Sequence, residues 1–369
     1  MSHPTRLPSR LALLLAFLFL PTACGDQHSP TAPPSGLAGA SALHPGGPGS
    51  GFPSTIDRFM ALDAGPVAIA HRGMGPNLGE DPSRPIENTV PAVRQGFETG
   101  APVVEVDLQM TADGEIVGWH DDFLEDFTCI GSLTRRELAE RAPHIDSFQA
   151  ILQTAARFNR NNPDRLSGLL TVDLKPTSPH CDPEDIAERD ARFVSNVVRI
   201  IRRMGATELI YFNSMSPVLL GQARDLAPEI PRQLTLIVLQ FLTAEEVEAA
   251  LGLPVTLVDK DPDYGLQWAE VGPVYRLPGY ASVDQAIATA FATGSQFVSY
   301  DLRLLGQMEQ AMPGAAAELV QASKAMGFRV LAGDVSSAQE WHFGASLGVA
   351  ALYADDVPLA VSLQPPLHE

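Results

Sequence analysis

The feature that most constrains the fold is an alternation between short apolar runs, rich in β-branched residues, and longer segments with helical periodicity. Strands joined by helices run parallel, because a crossover helix returns the chain to the same end of the sheet. Eight runs are predicted to be strands, at 66–73, 103–109, 169–175, 209–214, 233–239, 296–302, 329–335 and 349–356. The sequence therefore predicts an α/β protein with a (β/α)8 barrel of the TIM type.

One further apolar run lies directly after the second predicted strand. Residues 116–120 are separated from it by a short polar segment centred on Asp113-Gly114. This connection is too short for a crossover helix, so the run is predicted to pair antiparallel with the second strand. We expect a β-hairpin extension of the barrel here. The segment 243–295 is harder to interpret, with helices predicted near 243–251 and 282–293.

The N-terminus has the pattern of a bacterial lipoprotein signal. Arg6 and Arg10 precede the apolar run 11–20, which is too short to span a bilayer, and small residues then precede Cys24. Residues 1–24 are therefore predicted to be a lipoprotein-type signal segment. Cleavage in front of Cys24 would make this cysteine the lipidated first residue. Plain secretion with cleavage nearby is the alternative. Both alternatives predict export, and the first predicts a lipid anchor on a bacterial membrane, periplasmic or at the cell surface.

Composition separates the leader from the folded domain. Residues 25–55 are rich in Gly, Pro, Ser and Ala, which favours a flexible tether, although an unselected tail would have a similar composition. Residues 56–369 are then the barrel domain. The net charge of −19 argues against a nucleic acid or an anionic membrane surface as the main partner. A small anionic substrate would need a local cluster of positive charge.

Two cysteines follow two of the predicted strands. Cys129 lies just past the run 116–120, and Cys181 lies just past the run 169–175. In a barrel both loops open on the same face, and an exported protein permits a disulfide. A Cys129–Cys181 bridge and two separate thiols both remain compatible with the sequence.

The second predicted strand carries two carboxylates. Glu105 and Asp107 are two residues apart, so on a strand they point to the same side. Because adjacent buried carboxylates repel each other, a cation is expected between them, and oxygen ligands favour Mg²⁺ or Ca²⁺. A structural ion-pair cluster is the alternative interpretation.

Titratable and cationic side chains lie at the ends of neighbouring strands. His71 and Arg72 end the first strand, and His120 ends the hairpin. An imidazole titrates near neutrality, and a guanidinium matches the shape of a phosphate. Together with the carboxylates, these groups favour metal-assisted chemistry on a phosphate.

An ordered set of motifs resembles the glycerophosphodiester phosphodiesterase family. The set begins with H-R-G (71–73), and its spacing up to E-N-T is similar to the eukaryotic-type branch. The resemblance covers roughly residues 65–360. The further motifs are E-N-T (87–89), E-V-D (105–107), T-A-D-G (111–114), H-D (120–121), D-L-K (173–175), S-M-S-P (214–217) and D-V-P (356–358).

The resemblance implies a role for each of nine residues. It implies a barrel enzyme that hydrolyses glycerophosphodiesters to glycerol 3-phosphate and an alcohol, with one divalent cation. The implied roles are cation ligands for Glu105, Asp107 and Asp173, an acid–base pair for His71 and His120, phosphate binding for Arg72 and Lys175, and support for these groups by Glu87 and Asn88. Which histidine is the acid stays open, as does the choice between a cyclic phosphate intermediate and direct attack by water.

The chain departs from the family pattern at several positions. Asp173 stands where the family usually has Glu, and Lys175 on the same face could neutralise it. The run 331–335 replaces a W-T-V-N-like segment, Asp355 begins the equivalent of T-D-x-P, and 125–129 lacks an arginine. Two rival functions therefore stay open. One is a lysophospholipid or other lipid phosphodiesterase with an apolar rim from 255–280, and the other is a phosphodiester-binding lipoprotein without turnover.

Overall fold

The computed structural model describes most of the predicted barrel domain. The described residues are 55–62, 65–163, 166–178, 181, 185–241, 257–261, 265–268 and 279–366. The predicted signal 1–24, the tether up to residue 54 and the helix predicted near 243–251 lie outside them. Thr55, assigned to the tether, is the first residue of a helix.

Eight parallel strands form a closed barrel, as the sequence predicted. The strands of the described residues are β1 (Val67–Ala70), β2 (Val103–Met110), β3 (Ile116–Gly118), β4 (Leu169–Leu174), β5 (Ile210–Ser214), β6 (Arg232–Leu236), β7 (Leu257–Asp261), β8 (Gly265–Trp268), β9 (Phe297–Asp301), β10 (Arg329–Val335) and β11 (Ala351–Ala354). Strand β1 pairs with both β11 and β2, which closes the ring. Strand β3 pairs antiparallel with β2, so the predicted hairpin extension is confirmed. Strands β7 and β8 form a separate antiparallel pair.

Helices cover the outside of the barrel. The α-helices of the described residues are α1 (Thr55–Ala61), α2 (Val90–Thr99), α3 (Arg135–Arg141), α4 (Phe148–Asn161), α5 (Ile186–Arg203), α6 (Pro217–Leu226), α7 (Val283–Ala292), α8 (Leu302–Ala311), α9 (Ala315–Ala325), α10 (Ala338–Ser346) and α11 (Val357–Leu363). Helix α2 shows why their bounds follow the sequence. The Thr89 hydroxyl accepts from the backbone N–H of Ala92, and Gly100 ends the helix with a φ of 110°. No helix among the described residues is long and apolar enough to cross a membrane.

The predicted fifth strand is shorter than the apolar run that suggested it. Strand β6 ends at Leu236, and a 3-10 helix follows at Val238–Phe241. The backbone N–H of Ile237 donates to the Gln240 side chain, and the N–H of Gln240 donates back to the Ile237 carbonyl. This local turn competes with the extended backbone and ends the strand.

The two faces of β2 pack against different parts of the molecule. Val104, Val106 and Leu108 belong to the core between the strands and the outer helices, whereas Val103 belongs to the core inside the barrel. Because side chains alternate along a strand, Glu105 and Asp107 point inward with Val103. Both carboxylates are buried.

Helix α1 closes the N-terminal end of the barrel. The Phe59 ring stacks on Phe297 and Tyr211, at centroid distances of 5.7 and 5.8 Å. The Arg329 guanidinium donates to the carbonyls of Met60 and Leu62 and holds the end of the helix. With this end filled by apolar side chains, the barrel interior opens at the C-terminal ends of the strands, where barrels of this type carry their sites.

Candidate active site

Three acidic side chains meet inside the barrel. Strands β2 and β4 pair in parallel with Asp107 opposite Asp173, so the carboxylate of Asp173 faces the same interior as those of Asp107 and Glu105. One oxygen atom from each of the three carboxylates lies within 4.8 Å of the others. The structure therefore brings together the three residues that the sequence suggested as cation ligands.

Lys175 lies between two of these acids. Its Nζ is 2.9 Å from Oδ1 of Asp107 and 2.6 Å from Oδ2 of Asp173. Burial would raise the pKa of the Asp107 carboxyl, but the charges of Lys175 and Arg72 hold it well below its usual range. Lys175 therefore pairs with the ionised Asp107 as well as with Asp173, the residue that its charge was expected to neutralise.

The other two acids are less well compensated. Burial and then the charge of Asp107 raise the pKa of Glu105 well above its usual value. Burial also raises the pKa of Asp173 despite its contact with Lys175. Oδ1 of Asp173 is buried and makes no hydrogen bond within the part of the chain that the structure describes. An orphan carboxylate oxygen in a cluster of excess negative charge fits a hard divalent cation, so these residues could hold Mg²⁺ or Ca²⁺.

Arg72 and Asn88 organise the cluster through unusual backbone conformations. Arg72 has a φ of 50°, and its backbone N–H donates to Oε2 of Glu105 at 2.7 Å. Asn88 has a φ of 58°; its amide donates to Oδ2 of Asp107 at 2.8 Å and accepts from the Asp107 N–H at 2.9 Å. The Arg72 guanidinium donates to Oε1 of Glu87 at 3.0 Å. Glu87 thus contacts Arg72 and Asn88 contacts Asp107, and their supporting role in the site stays a prediction.

Both predicted histidines line the same cavity, which has a volume of about 340 Å³. Nδ1 of His71 is 2.7 Å from Oδ1 of Asp355, and Nδ1 of His120 is 2.8 Å from Oδ1 of Asp121. Each ring therefore has one nitrogen occupied by a carboxylate. Nε2 of His71 lies 4.0 Å from Oε2 of Glu105.

The two imidazoles have opposite charge preferences. Burial lowers the pKa of His71, but Asp334 and Asp355 more than offset this effect and raise it to about 9. Burial, together with the positive charge of Lys175, lowers the pKa of His120 to about 4. At neutral pH His71 is protonated and His120 is neutral, so one can give a proton and the other can take one.

The structure adds residues that the sequence did not single out for a role. These residues line the same cavity and lie in or directly after β5, β6, β9, β10 and β11. They are Asn213, Thr235, Ser299, Asp301, Arg303, Asp334 and Tyr353. The only signal that could have found them is their position, since each lies in or directly after a predicted strand. For the rim expected from 255–280, the side chains of 255–278 lie outside the described residues, and Tyr280 at its end is buried next to Phe241.

A disulfide joins the two loops that carry His120 and Lys175. The Sγ atoms of Cys129 and Cys181 lie 2.08 Å apart. Next to this bridge, the backbone N–H of Ser178 donates to Oδ2 of Asp122 at 2.7 Å. The first of the two alternatives for the cysteines is therefore the one present in the structure.

Reduction of this disulfide is expected to destabilise the barrel. The bridge closes a loop with a sequence separation of 52 residues, for which chain entropy predicts a loss of about 4 kcal/mol. We expect a lower Tm in reductant, measured by circular dichroism. The double variant C129S/C181S should have the same low Tm with and without reductant. An unchanged Tm in both experiments would contradict a stabilising bridge.

The fold and the site together define a class. This is a closed (β/α)8 barrel whose cavity, at the C-terminal ends of the strands, is lined by cationic side chains and by carboxylates that could hold a cation. The model of the Glycerophosphoryl diester phosphodiesterase family matches residues 71–359, and the chain belongs to that family.

Individual relatives agree with this assignment. The chain is 26% identical to the mouse protein named lysophospholipase D GDPD3 over 173 residues, which are 46% of this chain and 50% of the relative. It is 36% identical to a glycerophosphodiester phosphodiesterase of Caldanaerobacter subterraneus over 72 residues, which are 17% of this chain and 27% of that protein. The matched regions thus span half or less of the length of these relatives.

Two solved structures share the fold. A glycerophosphodiester phosphodiesterase from Parabacteroides distasonis has a TM-score of 0.55 at 16% identity, with coverage of 82% of this chain and 98% of the other. An Oleispira antarctica phosphodiesterase, solved in complex with the product sn-glycerol-3-phosphate, has a TM-score of 0.55 at 16% identity. Its match covers 81% of this chain and 96% of the other.

Proposed function

We propose that this protein hydrolyses glycerophosphodiesters to glycerol 3-phosphate and an alcohol. The observation that carries the proposal is the convergence of three buried carboxylates, two histidines of opposite charge preference and two cationic side chains on one cavity. The names of the Caldanaerobacter and Oleispira proteins, and the product bound to the latter, support the same reaction.

Glu105, Asp107 and Asp173 would hold one divalent cation, Mg²⁺ or Ca²⁺. When bound, the cation would stabilise the negative charge that develops on the phosphoryl oxygens. Asp173 carries its carboxylate one methylene closer to its strand than the usual Glu would. The orphan Oδ1 of Asp173 is the oxygen best placed to become a ligand, since Oδ2 is occupied by Lys175.

The cationic side chains would bind the phosphate. The Arg72 guanidinium is tied to Glu87 and the Lys175 ammonium to Asp107 and Asp173, so both are held in the cavity wall before substrate arrives. Positive groups that are already in place stabilise developing charge without reorganising. This arrangement also supplies the local positive charge that an anionic substrate needs in a chain with a net charge of −19.

The opposite charge preferences of the two histidines support one assignment of the acid–base roles. Neutral His120 would take the proton of the attacking hydroxyl, which belongs either to water or to the neighbouring glycerol carbon. Protonated His71 would give its proton to the leaving alkoxide. The same two histidines would act in both routes. Formation of a cyclic phosphate and direct attack by water would therefore take place in one site.

A lysophospholipid is the second candidate substrate. The mouse relative is named a lysophospholipase D, and the side chains of Met215 and Ile237 lie on the wall of this cavity. Both candidates share the phosphodiester chemistry and differ in the group that leaves. Binding without turnover is less favoured, because every group needed for proton transfer is present.

The proposed location is outside the cytosol, with the protein anchored by lipid at Cys24. The N-terminal sequence is the basis for this proposal, and the Cys129–Cys181 disulfide supports it because oxidising compartments favour such bridges. Metabolic labelling with a fatty acid would mark the wild-type protein and leave C24S unmarked. If neither protein carried the label, the lipid anchor would be ruled out and secretion without an anchor would be favoured.

One assay separates the candidate functions. Glycerophosphocholine and a lysophosphatidylcholine are each incubated with the protein and Mg²⁺ or Ca²⁺, and glycerol 3-phosphate, lysophosphatidic acid and choline are measured. We expect glycerol 3-phosphate from the first substrate and its loss with a chelator. Turnover of the lysolipid alone would favour the second candidate. Tight binding of either compound without formation of product would contradict the proposal that the protein is an enzyme.

A further inference from the structure

His71 and Asp355 lie side by side because of the strand register that closes the barrel. Strands β1 and β11 pair in parallel with Ala70 opposite Ala354. The backbone N–H of His71 donates to the Ala354 carbonyl at 3.2 Å. His71 and Asp355, which directly follow these strands, therefore lie at the same level on the C-terminal face of the barrel.

The backbone after these strands holds the two residues in a fixed relation. The N–H of Gly75 donates to the His71 carbonyl at 2.7 Å, which folds the loop back over the strand end. Gly75 has a φ of 87°, and a Cβ atom there would overlap the carbonyl oxygen of Asp355. The close approach of these two segments leaves little freedom for the His71–Asp355 pair.

The contacts around the imidazole favour one acid over the other. Oδ1 of Asp355 is 2.7 Å from Nδ1 of His71, whereas Oδ1 of Asp334 is 3.7 Å from it. The Asp355 side chain is 28% exposed and the Asp334 side chain 47%. The second oxygen of Asp355 accepts from the Ser336 hydroxyl at 3.3 Å. Asp355 is therefore the more buried and better oriented of the two.

The rest of the ring is also constrained. The Tyr353 ring packs edge-on against His71 at a centroid distance of 6.3 Å, and its hydroxyl donates to Gln233. With Nδ1 occupied by Asp355, Nε2 is directed toward Glu105 and the cavity. The orientation of the ring is thus set by its hydrogen bond to Asp355 and its packing against Tyr353.

We propose that Asp355 is a positioning residue for His71. Its carboxylate accepts a hydrogen bond from Nδ1–H and so directs Nε2–H toward the leaving group of the phosphodiester. This inference rests on the hydrolytic function proposed above. An ionised carboxylate can only accept, so the proton on Nδ1 stays there. The proton that leaves Nε2 ends on the alkoxide oxygen as the P–O bond breaks, and Asp355 remains ionised throughout.

Neighbouring aspartates provide matched variants for the test. Asp355 contacts His71, whereas Asp356 caps helix α11 by accepting from the N–H of Leu359 at 3.1 Å. Asn is as good an N-cap as Asp, so D356N should fold and turn over like the wild type. In the full-length protein we expect D355A to lower kcat about 100-fold with little change in KM, because only orientation of the acid is lost. D355N should recover part of this loss, since its amide oxygen can accept from Nδ1–H.

A second readout separates this inference from the proposed function. In ¹⁵N NMR spectra, the Nδ1 proton of His71 should exchange slowly with water in the wild type and in D356N. In D355A the same proton should exchange rapidly. Wild-type kcat in D355A, or an unchanged Nδ1 resonance, would overturn the positioning role. A rise in KM alone, or equal losses in D355A and D355N that track a lower Tm, would also overturn it. If the wild type turned over no diester, the proposed function would fail, and the resonance would still decide whether Asp355 orients His71.

Discussion

Replacement of either His71 or His120 by alanine is expected to lower kcat about 10²- to 10⁴-fold, the usual contribution of a general acid or base. Both rings line the cavity, with Nδ1 of each held by a carboxylate. Neither ring belongs to the buried apolar core, so Tm should change little. The measurement is steady-state release of glycerol 3-phosphate, and H342A, which alters an exposed histidine, is the control.

The pH dependence distinguishes the two variants. His120, with a pKa lowered to about 4 by burial and Lys175, must be neutral to act as base, so activity rises as the pH increases through this value. His71 must be protonated to act as acid, so activity falls as the pH increases through its raised pKa of about 9. A bound cation would offset part of the carboxylate charge near His71 and lower the pKa of this residue, so the alkaline limb of the pH profile would move to lower pH. H120A should lose the acidic limb and H71A the alkaline limb; the reverse assignment would contradict the proposed roles.

Glu105→Gln is expected to abolish the cation requirement together with most of the activity. The amide oxygen of Gln can still accept from the N–H of Arg72, so the shape of the site is kept while one negative charge is lost. Loss of a cation that stabilises phosphoryl charge by several kcal/mol corresponds to about a 10²- to 10⁴-fold lower kcat. Isothermal titration with Mg²⁺ and Ca²⁺ should show binding in the wild type and none in E105Q.

The stability of E105Q has a defined sign. Because burial raises the folded-state pKa of Glu105 above its unfolded value, the ionised group opposes folding at neutral pH when no cation is bound. The variant should therefore have a Tm equal to or above that of the metal-free wild type. E115Q, at an exposed position near the end of the same hairpin, is the control for the loss of one charge. Wild-type cation binding or turnover in E105Q would rule out Glu105 as a ligand.

The position of Lys175 shows where sequence reasoning was sufficient. Lys175 and Asp173 are two residues apart in the predicted third strand, 169–175, so their contact was expected from strand geometry alone. The contact of Lys175 with Asp107 needed the register between β2 and β4, which the sequence does not state. Register depends on packing between elements, and a shift by one residue would turn each carboxylate to the other face.

The histidine roles show where sequence reasoning ended. The sequence placed both rings at strand ends and left acid and base unassigned. Their opposite pKa shifts come from burial and from groups that are distant in sequence: Asp334 and Asp355 outweigh burial at His71, and Lys175 adds to burial at His120. An isolated strand does not contain this information, because the shifts depend on burial and on charges from other strands.

The sequence by itself determined the number and order of the eight barrel strands, the hairpin after the second strand and the inward direction of Glu105 and Asp107, since these follow from local periodicity and turn chemistry. Only the tertiary structure decided that Asp355 holds His71, across 284 residues of chain. The reason is that the first and last strands meet only when the ring closes, and this closure brings into contact residues that no local pattern relates.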